Sequence, residues 1–216
     1  MNTSSSTSIH SKSTQPQLIT TKPQTQSTNT TPKTATLLWI DLEMTGLDPT
    51  KDQILEVAAL ATDWDLNPIA EYTSAVKAPD ELLKTRMVGP FWEKNAATKR
   101  ALITQNQTAK ASNLVEQELL DFIQTYFKDS SIEHDPAYAG KIILAGNSVH
   151  QDRKFIDQAW PTLSAKLHYR LLDVSAWKLY FEGAKHQKFQ KREAHRALDD
   201  INGSIEELKW YLSFLK

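Results

Sequence analysis

The sequence predicts an α/β domain in which helices pack on a mixed β-sheet. Three features carry this. Apolar runs of strand length cluster early and are joined by short links. Apolar residues at helical spacing then alternate with further short apolar runs. The chain closes on a long stretch whose apolar residues recur at steps of three and four.

Leu37-Leu38-Trp39-Ile40 is a short continuous apolar run and reads as a buried strand, ended by a turn at Gly46, Asp48 and Pro49. Ile54–Thr62 reads as a second strand and residues 69–76, which alternate loosely, as a third. Their short links imply an antiparallel meander. Residues 113–127 form an amphipathic helix, with Leu114, Val115, Leu119, Phe122, Ile123 and Tyr126 on one stripe. Lys141-Ile142-Ile143-Leu144-Ala145-Gly146 is another buried strand, a helix follows from near Asp152, and residues 171–174 form a last short strand. The final helix carries Leu198, Ile201, Ile205, Leu208, Leu212 and Leu215 towards the core.

Residues 1–35 are set apart by composition. About half are Ser or Thr, three are proline, almost none are apolar and none is acidic. Such a segment cannot bury enough surface to offset its ordering entropy, so it reads as a disordered tail. Residues 36–216 suit one compact domain. The net charge is −1, and removing the tail's Lys12, Lys22 and Lys33 leaves the domain near −4. That balance argues against a sequence-reading binder of duplex DNA, which is usually basic. It is compatible with a nuclease whose bound cations supply local positive charge. The absence of cysteine excludes disulfides and thiolate metal sites and suits a reducing compartment. No apolar stretch approaches the roughly 18 residues that span a bilayer, so a cytoplasmic protein without a membrane partner is expected. The Ser-rich, acid-poor tail resembles a transit peptide but lacks arginine, leaving a mitochondrial location as the alternative.

Five residues carry the candidate chemistry. Asp41 and Glu43 are two apart at the end of the first strand, so both side chains share one face. A divalent cation between them would relieve their repulsion, and hard cations prefer carboxylate oxygens. Asp152 follows the strand ending at Gly146, and ligands gather beyond strand ends in such sheets. His195 precedes the Asp199-Asp200 pair at the start of the last helix. On that helix Asp199 projects about 145° and Asp200 about 115° from the centre of the apolar stripe, which favours Asp200 at the edge of the core. Each residue alone also reads as ordinary: a solvated strand end, an acid at a helix N-terminus, a surface-loop histidine.

Together the surrounding segments closely resemble the oligoribonucleases of the DEDDh exonuclease superfamily, over about residues 36–215. The resemblance rests on Trp39-Ile40-Asp41-Leu42-Glu43-Met44-Thr45-Gly46-Leu47-Asp48, on Gly146-Asn147-Ser148-Val149-His150-Gln151-Asp152-Arg153-Lys154-Phe155, on Leu167-His168-Tyr169-Arg170-Leu171-Leu172-Asp173-Val174-Ser175, and on His195-Arg196-Ala197-Leu198-Asp199-Asp200. In that superfamily the histidine and the final acid are five apart, which selects Asp200.

The resemblance implies a ribonuclease H-like mixed sheet of about five strands flanked by helices. It implies two divalent cations, Mg²⁺ or Mn²⁺, on Asp41, Glu43, Asp152 and Asp200, with His195 as general base. The expected activity is 3′-to-5′ removal of nucleoside 5′-monophosphates from very short single-stranded RNA, dinucleotides included. Leu47 resembles the family's wedge between two bases and Trp92 its aromatic platform. Ser148 and Gln151 flank the metal site, and His168, Tyr169, Arg170 and Ser175 resemble the group that caps the 5′ phosphate. Some of these come from a partner subunit in the family, which implies a homodimer. The stretch after Trp92 departs from the family's usual histidine and Ser-Gly-Leu, reading Glu93-Lys94-Asn95-Ala96-Ala97-Thr98-Lys99-Arg100-Ala101-Leu102. The alternatives are another DEDDh exonuclease acting on longer RNA or DNA, and a non-catalytic nucleic-acid-binding module on the same fold.

Overall fold

The computed structural model describes Met1 and residues 34–127, 141–190 and 196–215. Most of the segment expected to be disordered, and His195, lie outside those residues. Ala35, assigned from composition to the tail, is fully buried, and its N–H donates to the Tyr126 carbonyl at 2.8 Å. Packing of a single small side chain against the end of a helix therefore begins one residue before the expected boundary.

The sheet has five strands: β1 (Leu37–Met44), β2 (Ile54–Thr62), β3 (Pro68–Ala75), β4 (Ile142–Gly146) and β5 (Leu167–Asp173). Their spatial order is β3-β2-β1-β4-β5. β1 pairs antiparallel with β2, and β2 with β3, as the short links require. β4 runs parallel to β1, and β5 parallel to β4. The carboxyl ends of β1, β4 and β5 therefore lie along one rim of the sheet.

Side-chain alternation along β1 assigns the two cores. Leu38, Ile40 and Leu42 face a cluster built with Val115, Leu119, Phe122 and Ile123 of α4 (Ser112–Tyr126) and Phe155 and Ile156 of α5 (His150–Ala159). Leu37 and Trp39 face the opposite cluster, which contains Ile201, Ile205, Leu208 and Tyr211 of α8 (Ala197–Leu212). Both faces of the sheet are covered, so β2 is buried at every position and is apolar except at Glu56 and Thr62. The same alternation carries Asp41 and Glu43 onto the face that α8 covers.

Several elements differ from the sequence reading. Residues 80–106 hold three helices that it left unassigned: α1 (Asp80–Arg86), α2 (Pro90–Lys94) and α3 (Ala96–Asn106). α3 buries only Leu102 and Asn106, so no apolar stripe announces it. β5 begins at Leu167, because an edge strand tolerates the polar run His168-Tyr169-Arg170. It leads into α7 (Val174–Ala184), whose exposed Leu179 and Tyr180 blur the helical period, while α6 (Pro161–Ser164) is a single turn. Leu114 is exposed at the start of α4, and Leu215 is exposed in a terminal 3₁₀ turn, so neither joins the stripe assigned to it. Among the described residues no helix is long and apolar enough to cross a membrane.

Candidate active site

Asp41 and Glu43 project from β1 towards the first turn of α8, where Asp200 stands. One carboxylate oxygen from each of the three lies within 4.8 Å of the others. Asp199, one position earlier on the helix, is exposed and outside this group. The phase of α8 thus brings Asp200, and not Asp199, to Asp41 and Glu43.

Asp152 reaches the site from the first turn of α5 and is 6% exposed. Its Oδ1 accepts the Leu42 N–H at 3.0 Å, between the two acids of β1. Burial is the largest influence on its pKa, pushing it up to about 7, and the charges of Glu43 and Asp173 add to the rise. Glu43 is also pushed up to about 7, first by burial and then by Asp200 and Glu56, while Arg196 opposes the rise. Three carboxylates are thus held together, with Asp152 coupled to Glu43, at an electrostatic cost.

An all-oxygen donor set of this kind fits hard cations such as Mg²⁺, Mn²⁺ or Ca²⁺ and disfavours soft metals. Asp41, Glu43 and Asp200 would hold the ion, with Asp152 beside Glu43. A bound cation would convert the repulsion among them into attraction.

Arg196, the N-cap residue of α8, is committed to Glu56 of β2. Its Nε donates to Glu56 Oε1 at 3.2 Å and its Nη2 to Oε2 at 2.9 Å. Neither residue was picked out from the sequence, although a glutamate inside an otherwise apolar strand was a usable signal. His195, the expected general base, directly precedes Arg196 and lies outside the described residues.

A polar network occupies the rim beside Asp152. Ser148 adopts φ 53°, an uncommon conformation for a residue with a side chain. Its N–H donates to Asp173 Oδ1 at 2.9 Å and to Ser175 Oγ at 2.7 Å. Ser175 Oγ in turn donates to Asn147 Oδ1 at 2.8 Å, and Asn147 Nδ2 donates to Glu207 of α8 at 2.8 Å. Ser148 and Ser175, singled out separately in the sequence, are therefore direct neighbours. Gln151 accepts a hydrogen bond from Lys154 on the same helix. Gly146 is required here because a Cβ would sit 2.9 Å from the Ile40 carbonyl oxygen of β1.

The remaining substrate residues are more scattered. Leu47 is 72% exposed in the turn after β1. That turn is braced by Asp52, which accepts from Thr45 Oγ1, from the Asp48 N–H and from both arms of the Arg86 guanidinium. Trp92 is 5% exposed, packs in a third core cluster with Leu55 and Met87, and donates its indole N–H to the Thr45 carbonyl at 3.3 Å. Its neighbour Phe91 is 53% exposed, edge-on to it at 5.1 Å. His168 is buried, and its Nδ1 accepts the Arg170 N–H at 3.0 Å. Tyr169 is 73% exposed beneath the Arg170 guanidinium, 5.1 Å from the ring centre. Arg170 stands three residues before Asp173, about 10 Å back along the strand from the rim.

The chain is similar to known proteins in sequence and in fold. Residues 38–208 match the family model described as Exonuclease. The chain is 39% identical to the human mitochondrial oligoribonuclease over 180 residues, covering 81% of this chain and 71% of that protein. It is 41% identical to the oligoribonuclease of Bordetella pertussis over 187 residues, covering 83% and 94%. Among solved structures it resembles Escherichia coli exonuclease I in complex with a 5cy-dA13 oligonucleotide, with a TM-score of 0.55 and 14% identity over 83% of this chain. It also resembles the exonuclease I of Methylocaldum szegediense, with a TM-score of 0.53 and 17% identity over 79%. The chain spans only 40% and 38% of those two chains, and at such identity the likeness establishes the ribonuclease H-like fold alone. With the family match spanning most of the folded unit and relatives near 40% identity over most of both lengths, the chain belongs to the exonuclease family, among its oligoribonucleases.

Proposed function

We propose that this 3′-to-5′ exonuclease removes nucleoside 5′-monophosphates from very short single-stranded RNA, dinucleotides included, using two divalent cations, Mg²⁺ or Mn²⁺. The convergence of Asp41, Glu43 and Asp200 within 4.8 Å carries this reading. Asp152 completes the set from α5. When bound, the cations supply an activated water and charge stabilisation at the leaving 3′ oxygen. His195 would accept the proton of the attacking water, a role open to an imidazole nitrogen.

Leu47, exposed on its braced turn, would insert between the two bases. Trp92, with Phe91 beside it, would form the aromatic wall, since stacking tolerates any base. Ser148, Gln151 and Ser175 would border the phosphate path along the rim. His168, Tyr169 and Arg170 would cap the 5′ phosphate, and an arginine fork pairs well with phosphate oxygens. The distance of Arg170 from its own rim supports a cap supplied by a second subunit, and hence a homodimer. We place the protein in the cytoplasm, in keeping with its lack of cysteine, with mitochondria as the alternative that the human relative's name raises.

The test is cleavage of a 5′-labelled RNA dinucleotide and of a long single-stranded RNA, each with Mn²⁺. Strong preference for the dinucleotide is expected. Equal or faster cleavage of the long RNA overturns the short-substrate reading, and no cleavage of either overturns catalysis.

A further inference from the structure

Strand pairing places Glu56 of β2 directly opposite Glu43 of β1. Opposed residues of an antiparallel pair share one face, so another carboxylate stands at the flank of the site. Glu56 is 7% exposed and is not among the three acids that share a point. It faces α8 instead. Its Oε1 accepts the Ala197 N–H at 3.3 Å and the Arg196 Nε–H at 3.2 Å. Its Oε2 accepts from Arg196 Nη2 at 2.9 Å and from Gln105 Nε2 of α3 at 2.7 Å.

This arrangement caps a helix from a distance. The first N–H groups of a helix need acceptors from outside it, and the Arg196 side chain makes no cap bond of its own. Glu56 supplies the missing acceptor from β2 and clamps the cap residue by its guanidinium. Asp200 lies within the turn so fixed, its N–H donating to the Arg196 carbonyl at 3.0 Å. Each residue of slip along a helix rotates its side chains by about 100°, which would turn Asp200 away from β1.

We infer that Glu56 is a positioning residue: through Arg196 and the Ala197 N–H it sets where α8 begins, and so brings Asp200 to Asp41 and Glu43. Gln105 holds the same carboxylate from the third side. The inference rests on the metal-dependent nuclease reading above.

The test measures Mn²⁺ binding by calorimetry on the full chain without substrate, for the parent and for Glu56→Gln, Arg196→Lys and Arg196→Gln. Metal-free melting and dinucleotide cleavage are followed alongside. Positioning predicts that all three substitutions weaken Mn²⁺ binding, by about tenfold. At saturating Mn²⁺, kcat falls and KM for the dinucleotide holds. A role through charge alone predicts opposite signs, because Glu56 adds a negative charge near Glu43 and Arg196 a positive one. On that basis Glu56→Gln would bind Mn²⁺ more weakly, Arg196→Gln more tightly and Arg196→Lys as the parent does, which overturns positioning. Lower melting temperatures with unchanged Mn²⁺ binding overturn it as well, leaving only a structural cap. If Glu56→Gln does not fold, Gln105→Met removes one arm of the clamp and must weaken Mn²⁺ binding in the same direction. A parent protein that binds Mn²⁺ but cleaves nothing defeats the nuclease reading, and the binding data then still decide the positioning.

Discussion

The backbone N–H of Leu42 donates to Asp152 Oδ1 at 3.0 Å, joining two residues 110 positions apart. The bond falls between the two acids of β1 and fastens α5 to the rim of the sheet. It gives Asp152 two separable roles: an acceptor for buried backbone and a negative charge beside Glu43.

Asp152→Asn and Asp152→Ala separate those roles. The asparagine keeps an acceptor for Leu42 and discards a charge that is costly to bury. It should leave metal-free stability unchanged or raised while lowering kcat by about 10²–10³-fold. The alanine also strands the Leu42 N–H, a loss of about 1–3 kcal/mol. Chemical denaturation of the two variants checks this; equal stabilities would show that the Leu42 bond contributes nothing.

The adjacent aspartates of α8 should differ sharply. Asp200→Ala is expected to abolish turnover, and Asp199→Ala, on the exposed face, to leave it intact. Steady-state kinetics on an RNA dinucleotide decide between them. Loss of activity only in Asp199→Ala would reject the assignment of Asp200.

Metal-free stability should fall as pH rises from about 5 to about 7. Burial pushes the folded pKa of Glu43 and of Asp152 up to about 7, above the ordinary 4.5 and 3.8. An acid whose pKa is raised by folding favours the folded state most at low pH, and that contribution is lost as pH climbs to the folded pKa. Asp52, lowered chiefly by its hydrogen bonds to Arg86, acts in the opposite sense, but its contribution is lost only below pH 4 or so. Saturating Mg²⁺ should reverse the slope, since a cation binds the ionised acids. Melting curves with and without Mg²⁺ at pH 5 and pH 8 measure both slopes, and a metal-free protein more stable at pH 8 contradicts the prediction.

Gly46→Ala tests the turn that presents Leu47. A Cβ at Gly46 would lie 2.5 Å from Asp52 Oδ2. The Asp52 carboxylate is held by Arg86, Thr45 and Asp48, so the turn must shift to make room. A destabilisation of about 1–3 kcal/mol is expected, together with a higher KM for dinucleotides. A variant with parental KM would mean that the conformation of the turn does not matter to substrate.

What the sequence discloses depends on how locally each feature is determined. Ile54–Thr62 was legible to the residue because a strand buried on both faces is largely apolar, here with only Glu56 and Thr62 polar. The preference for Asp200 was legible because Leu198, Ile201, Ile205, Leu208 and Leu212 fix the phase of one helix. The helices of residues 80–106 were not, because they meet the body of the protein through few buried side chains. The bond between Arg196 and Glu56 spans 140 positions and depends on how α8 docks, which no local pattern encodes. Trp92 was legible as an aromatic of interest, but its burial among Leu55, Leu83 and Met87 is a matter of packing.

The order of the acids along the chain has a consequence for biosynthesis. Asp41 and Glu43 are made early and Asp152 later, whereas Asp200 belongs to α8 and follows them all. Domains assemble as the polypeptide emerges during translation, so the sheet can form while α8 is still within the ribosome. A nascent chain at that stage holds three acids without the fourth. On this reading the acidic site is completed only when α8 docks on the sheet that earlier segments have already formed.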